Sequence, residues 1–90
     1  MMDCYEKAFH HIMAGGMEHL KPELWDAQRN CIRSDWKERT SFCSSGEAAM
    51  CRIAVALFTG DRGIADFSDL RGLDVWNQRK VFEALALWLS

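Results

Sequence analysis

Apolar residues in the stretch Ser44–Thr59, SSGEAAMCRIAVALFT, keep to no single stripe. Ala48–Phe58 carries one charge, Arg52, and points apolar side chains in every direction of a helical wheel. Other elements must surround a helix of that kind, so the pattern predicts a buried central helix over about 45–59. Its ends are marked. Ser44 and Glu47 stand at the S-x-x-E spacing of a capping box, in which hydroxyl and carboxylate each satisfy a backbone N–H at the helix start. Gly60 supplies a left-handed stop.

Upstream, Asp3 and Glu6 form a second capping-box pair, and Tyr5, Phe9, Ile12 and Met13 follow at helical spacing. They predict a helix over about 4–14, ended by Gly15-Gly16. Pro22 suits the first turn of another helix. Leu20, Leu24, Ala27 and Cys31 recur at intervals of four, three and four and extend it over about 22–33. Ser34–Phe42 is polar and predicted to be mostly loop, with an alternation at Lys37–Phe42 too short to establish a strand. Ile64, Phe67, Leu70 and Leu73 are expected to plug an irregular segment into the core. Asp74 caps a last helix over about 75–89, whose core face is predicted to centre on Leu85 and to carry Val81, Phe82, Trp88 and Leu89. Four helices with short connections predict an all-α, single-domain bundle over residues 1–90, built around the buried central helix.

Composition narrows the function. Ninety residues with 49% hydrophobic and 27% charged residues and a net charge of −2 make one domain with a thin stability margin. The mild charge argues against general nucleic-acid binding, which rests on clustered Lys and Arg. The longest uncharged apolar run, Ile53–Phe58, falls well short of the ~20 residues of a membrane span. Asp3, Glu6 and Lys7 interrupt any signal-peptide core. A cytoplasmic protein is expected, with Cys4, Cys31, Cys43 and Cys51 as reduced thiols.

Catalytic and metal motifs are missing, so neither an enzyme nor a cofactor is expected. Four Cys and three His are donors enough for zinc. Yet the chain has no closely spaced Cys pair or His pair of the usual kind. A site would have to gather Cys4, Cys31, Cys43 and Cys51 from separate elements. The competing reading makes Cys31 and Cys51 small buried hydrophobes. Cys43 precedes a helix start, where the dipole lowers a thiol pKa, but the arginine of a phosphatase-type loop is not at the required place. Ser44, Ser45 and Gly46 could hold an anion through backbone N–H groups. Capture of a small ligand or signal nucleotide there is the alternative function, opposed by Glu47 in the same turn. Arg52 either meets water or needs a carboxylate partner.

Aromatic residues give the sharpest clue. Trp76 and Leu87 lie about 160–180° from Leu85 on the last helix, beside Lys80 and Glu83. An apolar pair ringed by charge on a solvent face is the pattern of a partner site. Trp36 could add a second aromatic anchor. In the competing reading the first helix or the segment 64–73 covers Trp76 and Leu87. A homodimer through the same patch is a third option.

The string Phe42-Cys43-Ser44-Ser45, the Ala/Leu-rich helix ending at Gly60, Phe67-Ser68-x-Leu70, Leu73-Asp74-x-x-Asn77 and the final Ala/Leu helix resemble a domain-of-unknown-function family of small proteins from Firmicutes and their phages. The resemblance covers roughly residues 42–89. It implies a prophage or mobile-element context and brings no catalytic residue. In that context it implies a protein that binds and blocks a host protein, for example a CRISPR-Cas effector.

Overall fold

In the computed structural model, which describes residues 3–61 and 63–90, helices dominate and one short hairpin interrupts them. The chain runs α1 (Cys4–Met13), a 3-10 turn (Glu18–Leu20), α2 (Lys21–Leu24), β1 (Trp25–Asp26), β2 (Cys31–Ile32), α3 (Trp36–Arg39), α4 (Ser45–Thr59), α5 (Phe67–Arg71) and α6 (Val75–Leu89).

The central helix is α4, and both of its ends are closed as the sequence requires. The Glu47 N–H donates to Ser44 Oγ at 3.3 Å, and the Ser44 N–H donates to Glu47 Oε1 at 3.2 Å. Gly60, at φ 74°, turns the chain away in the left-handed conformation. Ala49, Met50, Cys51, Ile53, Ala54, Val55 and Leu57 are all buried. Against them α1 lays Ala8, Phe9, Ile12 and Met13, while it packs at the same time on α6. At the far end the Trp88 indole N–H donates to the Leu57 carbonyl at 2.8 Å, fastening α6 to α4.

Five expectations need correction, the first being that the segment 64–73, expected to be irregular, holds the helix α5 behind a capping box of Asp66 and Asp69. The predicted helix over 22–33 stops at Leu24. Asp26 Oδ1 accepts from the Gln28 and Arg29 N–H groups at 3.0 and 3.2 Å, an Asx-type turn that competes with helix. Asn30 then takes φ 55°, and Trp25 and Asp26 pair antiparallel with Ile32 and Cys31. The hairpin delivers Trp25 to Phe9 and Phe58, with ring centroids 5.2 Å away in both cases. Residues 34–42 contain the one-turn helix α3, stapled by the Thr40 hydroxyl donating to the Trp36 carbonyl at 2.8 Å.

Phe67 does not plug the core: it is 87% exposed, whereas Leu73 is buried and Ile64 and Leu70 are half-buried. On α6 the buried residues are Val81 and Ala84, with Leu85 and Trp88 half-buried and Phe82 and Leu89 exposed. The buried face is thus turned by roughly 60° from the one centred on Leu85. The reason is α1. It claims the Ala84 side of α6, which apolar periodicity read from α6 alone does not weigh.

Phe9, fully buried, touches His10, Trp25 and Phe58 at ring-centroid distances of 5.2, 5.2 and 5.9 Å. Phe9→Ala is expected to cost about 3–5 kcal/mol, read as a lowered urea midpoint with an unchanged m-value.

Candidate docking surface

Where α1 meets α6, the sequence-predicted patch separates into fixed and unpartnered members. The Gly15-Gly16 turn takes φ 68° and 124°, conformations that favour glycine. Glu18 spans it, accepting both N–H groups at 2.7 Å, and these bonds hold its carboxyl below the usual range. Lys80 Nζ donates to the Gly15 carbonyl at 3.3 Å. Glu83 Oε1 lies 2.9 Å from His11 Nε2. Lys80 and Glu83 therefore tether α1, and Leu87 is half-buried. Trp76 remains 77% exposed, with the Arg79 guanidinium stacked 5.5 Å from its ring centroid. Trp36 does not join this patch. It is 9% exposed and belongs to the core, so its expected role as an anchor is corrected.

A second surface lies across α5 and α6, and the sequence pattern placed three of its residues, Phe67, Phe82 and Leu89, in the core. Phe67, Val75, Phe82 and Leu89 are 87%, 70%, 60% and 76% exposed. Beside them runs a groove of about 460 Å³ lined by Ile53, Ala56 and Leu57 of α4, Phe67 and Leu70 of α5, and Leu85 of α6. Asp66 is the one polar residue among the described residues that line it.

Polar bonds at its rim position α5. Asp66 accepts from the Ser68 N–H at 2.9 Å and donates its own N–H to Asp69 Oδ2 at 3.1 Å. The Asp69 carboxylate also takes Arg52, with Nη2 and Nε at 2.6 and 3.2 Å from Oδ1. Arg52 thus has the carboxylate partner that was one of its two readings. The Gln78 amide donates to the Leu70 carbonyl at 3.0 Å and joins α6 to α5. Two signals could have revealed this surface. One is the seven-residue spacing of Val75, Phe82 and Leu89; the other is a Phe placed directly after the capping Asp66.

The remaining candidates are chemically quiet. Burial pushes the Cys51 thiol up to about 12, and burial followed by the Glu47 charge also raises Cys43. These effects outweigh the helix dipole expected to activate Cys43. Among the described residues no three of His, Cys, Asp and Glu gather in a way that could hold a metal ion. At Ser44, Ser45 and Gly46 the Glu47 carboxylate accepts the Ser44 N–H and lies 3.3 Å from His19 Nε2. Negative charge stands where an anion would bind.

His10 is a half-buried titratable group beside the core. Its Nδ1 is buried without a hydrogen-bond partner among the described residues, and its ring sits edge-on to Trp25 at 5.1 Å. Burial, then the Lys21 charge, push its pKa down against the opposing pull of Glu6.

A lowered folded pKa means that the unfolded chain binds the proton more readily. Stability is then lost as the pH falls through the ordinary imidazole value of about 6.5. Tm is expected to drop between pH 7.5 and 5.5, and His10→Phe should flatten that drop while keeping the ring contacts. Separately, Arg52→Met leaves the Asp69 carboxylate, 13% exposed, without its cation. A loss of about 1–2 kcal/mol is expected by urea unfolding, and Asp69→Asn in the Arg52→Met background should recover part of it. Comparison with family profiles, with curated proteins and with solved structures finds no match to this chain.

Proposed function

We propose that this chain is a non-enzymatic binding domain of phage or mobile-element type that covers a surface on a host protein, with Trp76 as its anchor. One observation carries the binding part: Trp76 is 77% exposed on a helix whose neighbouring Lys80 and Glu83 are bonded to the turn after α1 and to His11 of α1. Trp and Arg dominate the energetics of protein interfaces, and here Arg79 already stacks on the indole. An anchor set on a tethered helix loses little freedom when it docks, which leaves more of the contact energy for binding. The upward push of burial on the Cys43 and Cys51 thiols and the Glu47 charge at the α4 start support binding over cysteine catalysis or anion capture there. The mobile-element part rests on the resemblance of residues 42–89, and with it a host defence component such as a CRISPR-Cas effector is the class of target.

Trp76→Ala tests the reading. Folding stability should stay within about 0.5 kcal/mol, as for other exposed positions. Affinity for the protein that co-purifies with the chain from its host should fall roughly thirtyfold, the scale of a hot-spot truncation. Undiminished capture by the variant, or a variant that unfolds, overturns it.

A further inference from the structure

We infer that the Val75–Phe82–Leu89 side of α6 is an interface with a second copy of this chain, paired antiparallel about a twofold axis near Phe82. This face is distinct from the Trp76 edge, so the inference stands or falls separately from the reading above.

Spacing is the first argument. Three apolar residues seven apart drift by only about 20° per step on an α-helix, so Val75, Phe82 and Leu89 form one stripe, and all three are exposed. The stripe has an apolar residue at its centre and one seven positions to either side. A twofold axis at the centre lays Val75 on the second copy's Leu89 and Phe82 on its counterpart. Such self-matching is what an isologous contact requires.

Area is the second. Phe67, Val75, Phe82 and Leu89, at 87%, 70%, 60% and 76% exposure, leave on the order of 500 Å² of apolar surface. That lies toward the upper end of patches on monomers and is more than half of the roughly 800 Å² that each partner contributes to a standard interface. Leu85, which lines the groove with Phe67, stands three residues after Phe82 and so adjoins the stripe on α6.

Charge is the third. The first turn of α6 holds no acidic residue and its last turn no basic one. Its poles are therefore compensated only by the Asp74 cap. Antiparallel pairing sets each negative pole beside the positive pole of the other copy. It also brings Arg79, which makes no ion pair among the described residues, to the edge of the contact.

Sedimentation velocity on the full chain tests this. The native protein should run at twice the 10.3 kDa chain mass. Phe82→Glu should raise the dimer dissociation constant by roughly thirtyfold or more with an unchanged far-UV circular dichroism spectrum. Leu89→Glu, at the exposed last turn, should do the same and serves if Phe82→Glu fails to fold. Trp76→Ala should leave the dimer intact. Orientation is read from charges: Val75→Glu or Leu89→Lys alone weakens the dimer, and the two together restore it when the helices run antiparallel. A native chain that stays monomeric up to its solubility limit overturns the inference. So does a dimer insensitive to both glutamate variants, or one further weakened by the Glu/Lys combination.

Discussion

A helix apolar on every side has to be covered on every side, and ninety residues offer few elements to do it. That shortage shapes the molecule. In a chain this small the surface is large relative to the core, and each neighbour of α4 must serve more than one purpose. α1 packs on both α4 and α6. Trp25 and Trp36, from a hairpin and a single helical turn, fill flanks that longer helices would cover in a larger domain. Along Ile53, Ala56 and Leu57 the cover is thin, because the five-residue α5 and one edge of α6 meet there without closing over the helix. The open groove follows from the same demand that builds the core.

Polar contacts then decide how the thin cover sits. Asp69 closes the first turn of α5 and receives Arg52 from α4, so one carboxylate holds both the shape and the place of that helix. Arg52 is the single charge within Ala48–Phe58, and it lies where α4 borrows its weakest neighbour. A surface ion pair contributes little by itself. Here, with Asp69 mostly buried, the pair fixes a direction, and that direction turns Phe67 to solvent.

Local signals in the sequence were reliable where the structure obeys them locally. The Asp3 cap of α1, the capping box of α4, the Gly60 stop and the Asp74 cap depend on residues three or four apart and are observed where the letters put them, although on α1 Glu6 does not return the bond that would complete its box. The prediction over 22–33 failed because apolar spacing of four, three and four fits a helix equally well when Asp26 and Asn30 break it. Trp36 was hidden for the opposite reason. A polar segment reads as loop, although one turn of helix suffices to bury a Trp and the Thr40 beneath it. The face of α6 was misplaced because burial there depends on where α1 lands, a long-range fact that no window of the sequence contains. Of the predicted patch, Trp76 stayed on the surface while Lys80 and Glu83 became fastenings.

The contrast between α1 and α6 shows what the monomer leaves unexplained. On α1 the buried residues are Ala8, Phe9, Ile12 and Met13, and its exposed large apolar residue, Tyr5, leans on Trp88 with ring centroids 5.9 Å apart. That helix divides its residues as a helix on the surface of a single domain should. Among the exposed positions of α6, by contrast, only Arg79 and Glu83 are charged, and Val75, Trp76, Phe82 and Leu89 face water. Burying a side chain of this kind contributes about 1.5–3 kcal/mol, stability that the isolated chain forgoes at four places on one helix. Folding of one copy supplies no reason for them. The two contacts proposed above would account for them on two sides of α6: an aromatic edge beside α1 and a regular stripe beside α5.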